Sequence, residues 1–183
     1  MDELNRFTLN LRIAFPDGNL PSKREDPEAY EDILDEMFDL FLLAYATGNN
    51  VTNMKLDFNW NPTEDDASRT VNKRIAGKTW RDRVDEYFTD GGTVDDLIRI
   101  AETETHRDAN TAALDTAKKA GATKKTWATM LDDRVREQHE WLEGVTVGID
   151  DDFYSIDGDH APAPGLFELA QNNVNCRCEL VFS

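Results

Sequence analysis

One long apolar segment constrains the fold of this sequence more than any other feature. It begins at Asp26 and Pro27, a capping side chain followed by the residue favoured at the first position of a helix. From there apolar residues recur at helical spacing as far as Gly48, and three leucines widen the apolar surface beyond one face. Because so broad a surface needs more than one neighbour, we expect this helix either to be central to the core or to form an interface.

Two further stretches in the N-terminal half alternate apolar with polar residues. Residues 6–15 place five apolar side chains on one side, and residues 54–60 place four. A period of two is typical of half-buried strands, so both stretches are predicted to be strands. Residues 61–88 contain a capping asparagine, a proline and an acidic first turn, which predict one long and largely exposed helix.

The C-terminal half predicts one long helix followed by shorter elements. Thr93 and Asp96 form a capping box, and the helix that they start is predicted to reach Gly121. The other predicted elements are a strand at 124–130, a brief helix at 133–143 capped by Asp132 or Asp133, a loop at 145–175 and a last strand at 178–182. The predicted fold class is therefore α+β: rich in helices, with a small mixed or antiparallel sheet and a long irregular loop near the C-terminus.

The charge balance is strongly acidic, with 37 acidic against 20 basic residues and a net charge of −17. Such a charge repels nucleic-acid phosphates, so direct nucleic-acid binding is disfavoured. Aspartate supplies 23 of the 37 acidic residues, whereas lysine supplies only 8 of the 20 basic ones. A surface rich in carboxylates stays hydrated in molar salt, where the Debye length is about 3 Å, and we interpret it as the surface of a halophile's protein.

The sequence contains no pattern of a membrane or secreted protein. No apolar run approaches the roughly 20 residues that a membrane span needs. The first residues, Met1 to Glu3, lack the basic start of a secretory signal. We therefore expect a soluble chain that is made without export and has no membrane partner.

The only two cysteines, Cys176 and Cys178, flank a single arginine. A disulfide between them is disfavoured, because it closes almost no loop and because Cβ atoms in an extended segment lie farther apart than the roughly 3.5–4.5 Å that a bridge needs. Two interpretations stay open. The cysteines are buried structural residues, or they bind zinc together with His106, His139 or both.

Motifs of the common enzyme classes are missing from the sequence. It has no nucleophile elbow, P-loop or dinucleotide-binding fingerprint. Glu102 and Glu104 lie two positions apart on a predicted helix and so face different directions, which does not suit a catalytic carboxylate pair. The acidic stretch at 150–159 lacks the spacing of a calcium-binding loop. These observations favour a protein that is not an enzyme and that needs no cofactor unless the cysteines bind zinc.

Four segments occur in a specific order: AETETHRDAN, then KTWATMLDDRVREQHEWLEG, then a loop with APAPG, and NCRCELVF at the end. Together they resemble the conserved domain of the phage Mu F-like minor head proteins, also called head morphogenesis proteins, of tailed viruses. The resemblance covers residues 93–182, and Glu102 stands where the family commonly has arginine. The positions that match the family motif are Thr103, Glu104, Asn110, Trp127, Asp133, Arg134, Arg136, His139, Gly144, Pro164, Gly165, Asn175, Cys176, Arg177 and Cys178.

The resemblance implies a structural virion protein that acts in head assembly and in DNA packaging or ejection. It implies a position in the head interior near the portal vertex, with the portal protein, the major capsid protein or both as partners. During assembly the protein would be located in the host cytoplasm. With the acidic composition, it predicts a virus of a halophilic, archaeal host. Residues 93–183 would be the Mu F-like domain, and residues 1–92 the part that contacts portal or capsid. The alternative is a small zinc-dependent enzyme or effector that uses His106, His139 and the two cysteines.

The matched polar residues also predict a network. Asp133 would cap the brief helix, while Arg134 and Arg136 would donate hydrogen bonds to Glu104 on the preceding helix. Arg177 would point away from the two cysteines, because neighbours in an extended segment face opposite sides. We hypothesise that this network attaches the loop at 145–175 to the rest of the protein.

Overall fold

The computed structural model describes residues 3–183. Met1 and Asp2, which belong to the stretch predicted to lack a secretory signal, lie outside the described residues. The predicted α+β class is confirmed. The helices are α1 (Glu3–Ala14), α2 (Pro27–Lys55), α3 (Glu64–Val71), α4 (Trp80–Asp90), α5 (Val94–Lys119), α6 (Glu137–Glu140) and α7 (Ala170–Asn173). The strands are β1 (Lys124–Ala128), β2 (Thr146–Gly148), β3 (Phe153–Tyr154), β4 (His160–Ala161) and β5 (Glu179–Phe182).

The long apolar helix α2 is central to the core. Asp26 caps it as predicted, because its Oδ1 accepts a hydrogen bond from the amide of Ala29 at 3.0 Å. Helix α2 packs along α5, and Gly48 lies where the two backbones approach most closely: a Cβ atom at Gly48 would lie 2.2 Å from the carbonyl oxygen of Ala109. The next residue, Asn49, donates a hydrogen bond to Thr116 Oγ1 at 2.8 Å. Glycine thus allows the contact that holds the two longest helices together.

The predicted strand at 6–15 is wrong, because these residues form α1. Phe7 and Leu11 are buried, whereas Leu9 and Ile13 are 48% and 69% exposed. Residues four apart share a helix face, so burial of Phe7 and Leu11 follows the helical period. The same two residues also fit an alternating pattern, because four is a multiple of two.

The predicted strand at 54–60 is also wrong. Helix α2 continues to Lys55, and the chain then turns as Asn53 bonds both the amide and the carbonyl group of Trp60. The single long helix predicted for 61–88 is two helices, since α3 ends at Val71 and α4 begins at Trp80. The residues between them form a tight turn in which Ala76 and Gly77 both have positive φ.

The C-terminal half forms a small antiparallel sheet next to α5. Strand β1 lies between β2 and β5, and β3 and β4 form a separate antiparallel pair. The predicted loop at 145–175 therefore contains three short strands and α7 within its irregular course. The helix predicted for 133–143 is only the single turn α6.

The buried apolar residues form two cores. The first is formed by α1 to α5, and Met37, Phe41 and Trp80 are fully buried in it. The second surrounds Trp127 of β1 and contains both cysteines. Among the helices of residues 3–183, none has the length and apolar character that crossing a membrane requires.

Candidate functional site

Five of the matched residues lie in residues 129–145, the segment between β1 and β2 that is here called the detour. The detour closes on Trp127, whose amide donates to the carbonyl oxygen of Val145 at 3.0 Å and whose carbonyl accepts from Gly144 at 2.9 Å. Gly144 has a φ of 72°, a conformation that costs glycine little and other residues more. Helix α6 lies within this detour and points His139 into the second core.

His139, Cys176 and Cys178 form one buried group, here called the His-Cys cluster. The Nδ1 atom of His139 lies 3.6 Å from Sγ of Cys176 and 3.4 Å from Sγ of Cys178. The three residues are 2%, 6% and 3% exposed, and both thiols are free. The contact with Cys178 lowers the pKa of the Cys176 thiol, and the contact with Cys176 together with burial raises that of Cys178. One proton is therefore held more weakly than the other, as expected for two thiols that share one site.

His106, a further candidate metal ligand, does not join the cluster. Its Nε2 atom lies 2.8 Å from the carbonyl oxygen of Cys178 and 3.0 Å from Nδ2 of Asn110. Burial lowers the pKa of His106, which favours a neutral ring. His106 thus contacts the backbone carbonyl group of Cys178 and not its sulfur atom. The structure brings together the other three of the four candidate ligands.

Arg177 points away from the cysteines and contacts an acidic residue. Its guanidinium donates two hydrogen bonds to Asp132, at 2.8 and 2.6 Å. These bonds lower the pKa of Asp132 to about 2. Asp132 also accepts a hydrogen bond from the amide of Arg134, so it orders the start of the detour.

The predicted cap at Asp133 is wrong. Arg136 occupies the N-cap position of α6, and no side chain caps that helix. Asp133 is exposed. The ion pair between Asp132 and Arg177 fixes this segment instead.

Arg136 and Arg134 have different environments. The guanidinium of Arg136 donates hydrogen bonds to the carbonyl oxygens of Gln171 and Val174, at and just after α7. The side chain of Arg134 is 73% exposed and reaches only to 3.7 Å from Asp132. Arg136 therefore connects the detour to the end of the long loop, in line with the hypothesis that this loop is attached to the rest of the protein.

Replacing Arg136 with Ala should increase cleavage of the segment 145–175 in limited proteolysis several-fold, because two carbonyl groups lose their donor. The matched control is Arg134→Ala, which removes the same kind of side chain two positions away and should leave the cleavage pattern unchanged. Equal cleavage of the Arg136 variant and the unmodified protein would contradict the attachment.

The prediction that Arg134 and Arg136 donate hydrogen bonds to Glu104 is wrong. Glu104 is buried between Arg83 of α4 and Arg107 of α5, and it forms ion pairs with both. Arg107 also bonds Asp108 through Nε at 2.9 Å and through Nη2 at 2.7 Å. We call these four residues the Glu104 cluster. Burial raises the pKa of Asp108 above its ordinary value, and the two acids raise the pKa of Arg107 although burial opposes this.

The Glu104 cluster joins several elements through backbone contacts. Arg107 donates to the carbonyl oxygen of Val71 at 2.9 Å, and Arg83 donates to that of Ile75 at 2.9 Å. Gly165, in the APAPG segment, packs so closely on Arg107 that a Cβ atom would lie 2.9 Å from the Cα atom of that residue. The matched residues Glu104 and Gly165 thus hold the helical half and the C-terminal loop together.

Two aspartates inside the long loop were missed by the sequence analysis. Asp157 bonds Ser155, Gln171 and Asn172, and the bond from Ser155 is the main reason why its pKa is lowered to about 2. Asp159 accepts bonds from the amides of His160, Glu168 and Leu169 and from the side chain of Asn172. The only available signal was the DGD turn in an acidic segment, which looked like a solvated loop.

Comparisons with known proteins bear on these residues. The family model described as "Phage Mu protein F like protein" matches residues 64–181. The minor head protein GP7 of Bacillus phage SPP1 is 36% identical over 85 residues, 45% of this chain and 28% of that protein. An NAD(+)--arginine ADP-ribosyltransferase, EFV, of Enterococcus faecalis is 35% identical over 88 residues, 46% of this chain and 18% of that protein. The chain therefore spans less than a third of either relative, and no solved structure matches it.

Proposed function

The chain belongs to the Phage Mu protein F like family, and on that premise we propose that it is a minor head protein, a structural component of the virion of a tailed virus. The observation that carries the proposal is the 36% identity to a protein named as a minor head protein. In this role the chain acts in head assembly and in DNA packaging or ejection. The family match covers residues 64–181 of this chain and the identity covers 28% of the relative, so the role is proposed for the shared module.

The use of the matched residues supports a structural role. Trp127 is fully buried, Glu104 pairs with two arginines, and Arg136 and Arg177 bond groups within the same chain. Charged side chains that are used up in internal contacts stabilise a fold and are not free to act on a substrate. We therefore propose that this module is not an enzyme.

The alternative of a zinc-dependent enzyme is less well supported. A catalytic zinc site keeps a coordination position open to substrate, whereas a structural site is closed. The three residues of the His-Cys cluster are almost completely buried, which favours the closed kind. The match to the ADP-ribosyltransferase covers only 18% of that protein, so it does not carry the named activity over to this chain.

We further propose a position in the head interior near the portal vertex, with the portal protein, the major capsid protein or both as partners. The net charge of −17 disfavours direct contact with packaged DNA, which leaves proteins as the partners. The same charge, carried mainly by aspartate, supports a halophilic, archaeal host, in whose cytoplasm the chain would stay until assembly.

The division into residues 1–92 and 93–183 stays a prediction, with the first part as the one that contacts portal or capsid. The family match begins at residue 64, inside the first part. The exposed apolar residues of that part include Leu9 and Ile13 of α1 and Leu43 of α2, which suit contact with a partner. These three residues lie on helices, so the proposed contact is made by helix faces.

Cross-linking mass spectrometry on purified virions of the encoding virus tests this role. Because the chain has 8 lysines but 37 acidic residues, a carboxylate-reactive cross-linker suits it. We expect cross-links to the portal or major capsid protein, with tail proteins as the background control. Presence of the chain in infected cells together with its absence from purified virions would contradict the proposal.

A further inference from the structure

The His-Cys cluster has the dimensions of a zinc site. Zinc binds cysteine sulfur at about 2.3 Å and histidine nitrogen at about 2.0–2.1 Å, so tetrahedral angles place the nitrogen about 3.6 Å from each sulfur. The observed distances from His139 Nδ1 are 3.6 Å to Cys176 and 3.4 Å to Cys178. All three ligand atoms lie within 4.8 Å of one another. The three atoms therefore lie close enough together to bind one ion.

A small cavity lies beside these atoms. Its volume is about 10 Å³, and the three residues of the cluster line it together with Arg134, Arg136 and other residues of the detour. A space of this size is comparable to that of one water molecule. It leaves room for a fourth ligand, a water molecule, beside an ion held by the three side chains.

The second ring nitrogen of His139 is compatible with such a site. His139 Nε2 is buried and has no hydrogen-bond partner among the described residues. If Nδ1–H donated to a sulfur atom, Nε2 would be a buried acceptor without a donor, which costs free energy. If Nδ1 binds a cation, Nε2 carries the hydrogen instead. The ring of Trp127 is nearly perpendicular to the imidazole, with the two centroids 5.4 Å apart, and aromatic rings are weak acceptors.

We propose that Nδ1 of His139 and the sulfur atoms of Cys176 and Cys178 bind one zinc ion, with a water molecule as the fourth ligand. Each thiol loses its proton to solvent when the ion binds, so two protons are released for each zinc ion. His139 comes from α6 and both cysteines come from the segment before β5, so the ion links the detour to the last strand. Because the three ligands are almost completely buried, a substrate cannot reach the position of the water molecule, and the role of the ion is structural. The proposal does not depend on the proposed function.

Metal analysis of the full chain tests the proposal. The protein is purified in molar salt with a phosphine reductant and without added metal, and zinc is measured by mass spectrometry. We expect about one zinc ion per chain. His139→Gln and Cys178→Ser should lose it, whereas His106→Gln, the matched control, should keep it because His106 contacts only the backbone of Cys178.

Cobalt(II) titration of the unmodified chain after removal of metal tests the site without relying on variants that fold. Binding should saturate at about one cobalt ion per chain and give the thiolate-to-cobalt absorption of a tetrahedral site. A chain that is free of zinc as purified and shows no thiolate-to-cobalt absorption would overturn the proposal. Loss of the metal in His106→Gln to the same extent as in His139→Gln would overturn the assigned ligand set.

Discussion

Glu104→Gln is expected to lower the free energy of unfolding by about 3–5 kcal/mol, because breaking a buried ion pair leaves the remaining charge without compensation. Glutamine keeps the shape of the side chain but removes the charge that pairs with Arg83 and Arg107. Arg107 is buried and would keep only Asp108 as an acidic partner. For a chain of this size the loss corresponds to a fall in Tm of about 6–20 °C.

The matched control is Glu102→Gln, which makes the same chemical change two positions earlier on α5. Glu102 is exposed, so the free energy of unfolding should change by less than about 0.5 kcal/mol. Both variants are measured by denaturant unfolding in molar salt, where exposed pairs are screened but buried pairs are screened much less. Equal stabilities of the two variants would show that the Glu104 cluster does not hold the helices together.

Gly48→Ala is expected to destabilise the protein by about 1–3 kcal/mol, as overpacking of a well-packed contact does. Helix propensity alone predicts the opposite sign, since alanine is favoured over glycine by about 1 kcal/mol inside a helix. The added Cβ atom would lie 2.2 Å from the carbonyl oxygen of Ala109, and that oxygen belongs to the backbone of α5. The helices would have to separate, and the hydrogen bond between Asn49 and Thr116 lies at the same contact.

Ala46→Gly provides the comparison for Gly48. Ala46 is exposed on the same helix, so its variant reports the propensity term alone, a loss of about 1 kcal/mol. Unfolding of Gly48→Ala at a higher denaturant concentration than the unmodified protein would contradict this prediction. It would show that helix propensity, and not the close contact between α2 and α5, determines the change in stability.

Two helix starts were predictable from local sequence because caps act over three or four residues. Asp26 caps α2 as predicted, and Thr93 and Asp96 form the predicted capping box at α5. The apolar pattern of residues 6–15 misled the prediction, since Phe7 and Leu11 satisfy both a period of two and a spacing of four. Packing against α2 and α5 decides between a strand and a helix, and these contacts are not visible in the local sequence.

The site was predictable where a family motif fixed the residues and unpredictable where a distant partner mattered. The resemblance to the family motif identified Glu104, but its partner Arg83 lies 21 positions away on another helix. The chain contains 12 arginines, so no local pattern singles out that one. The position before Thr103, where the family commonly has arginine, is the exposed Glu102, and the two arginines that pair with Glu104 come from positions 83 and 107.

The most direct test of the structural role is to count this chain in purified virions before and after protease treatment of intact particles. A minor head protein in the head interior should be present in few copies per particle, and the count should not change, because the capsid shields the chain. Quantitative mass spectrometry with isotope-labelled peptides gives the count, and a surface-exposed virion protein is the control for digestion. Absence from untreated virions, or loss of the chain together with the surface control, would contradict the account.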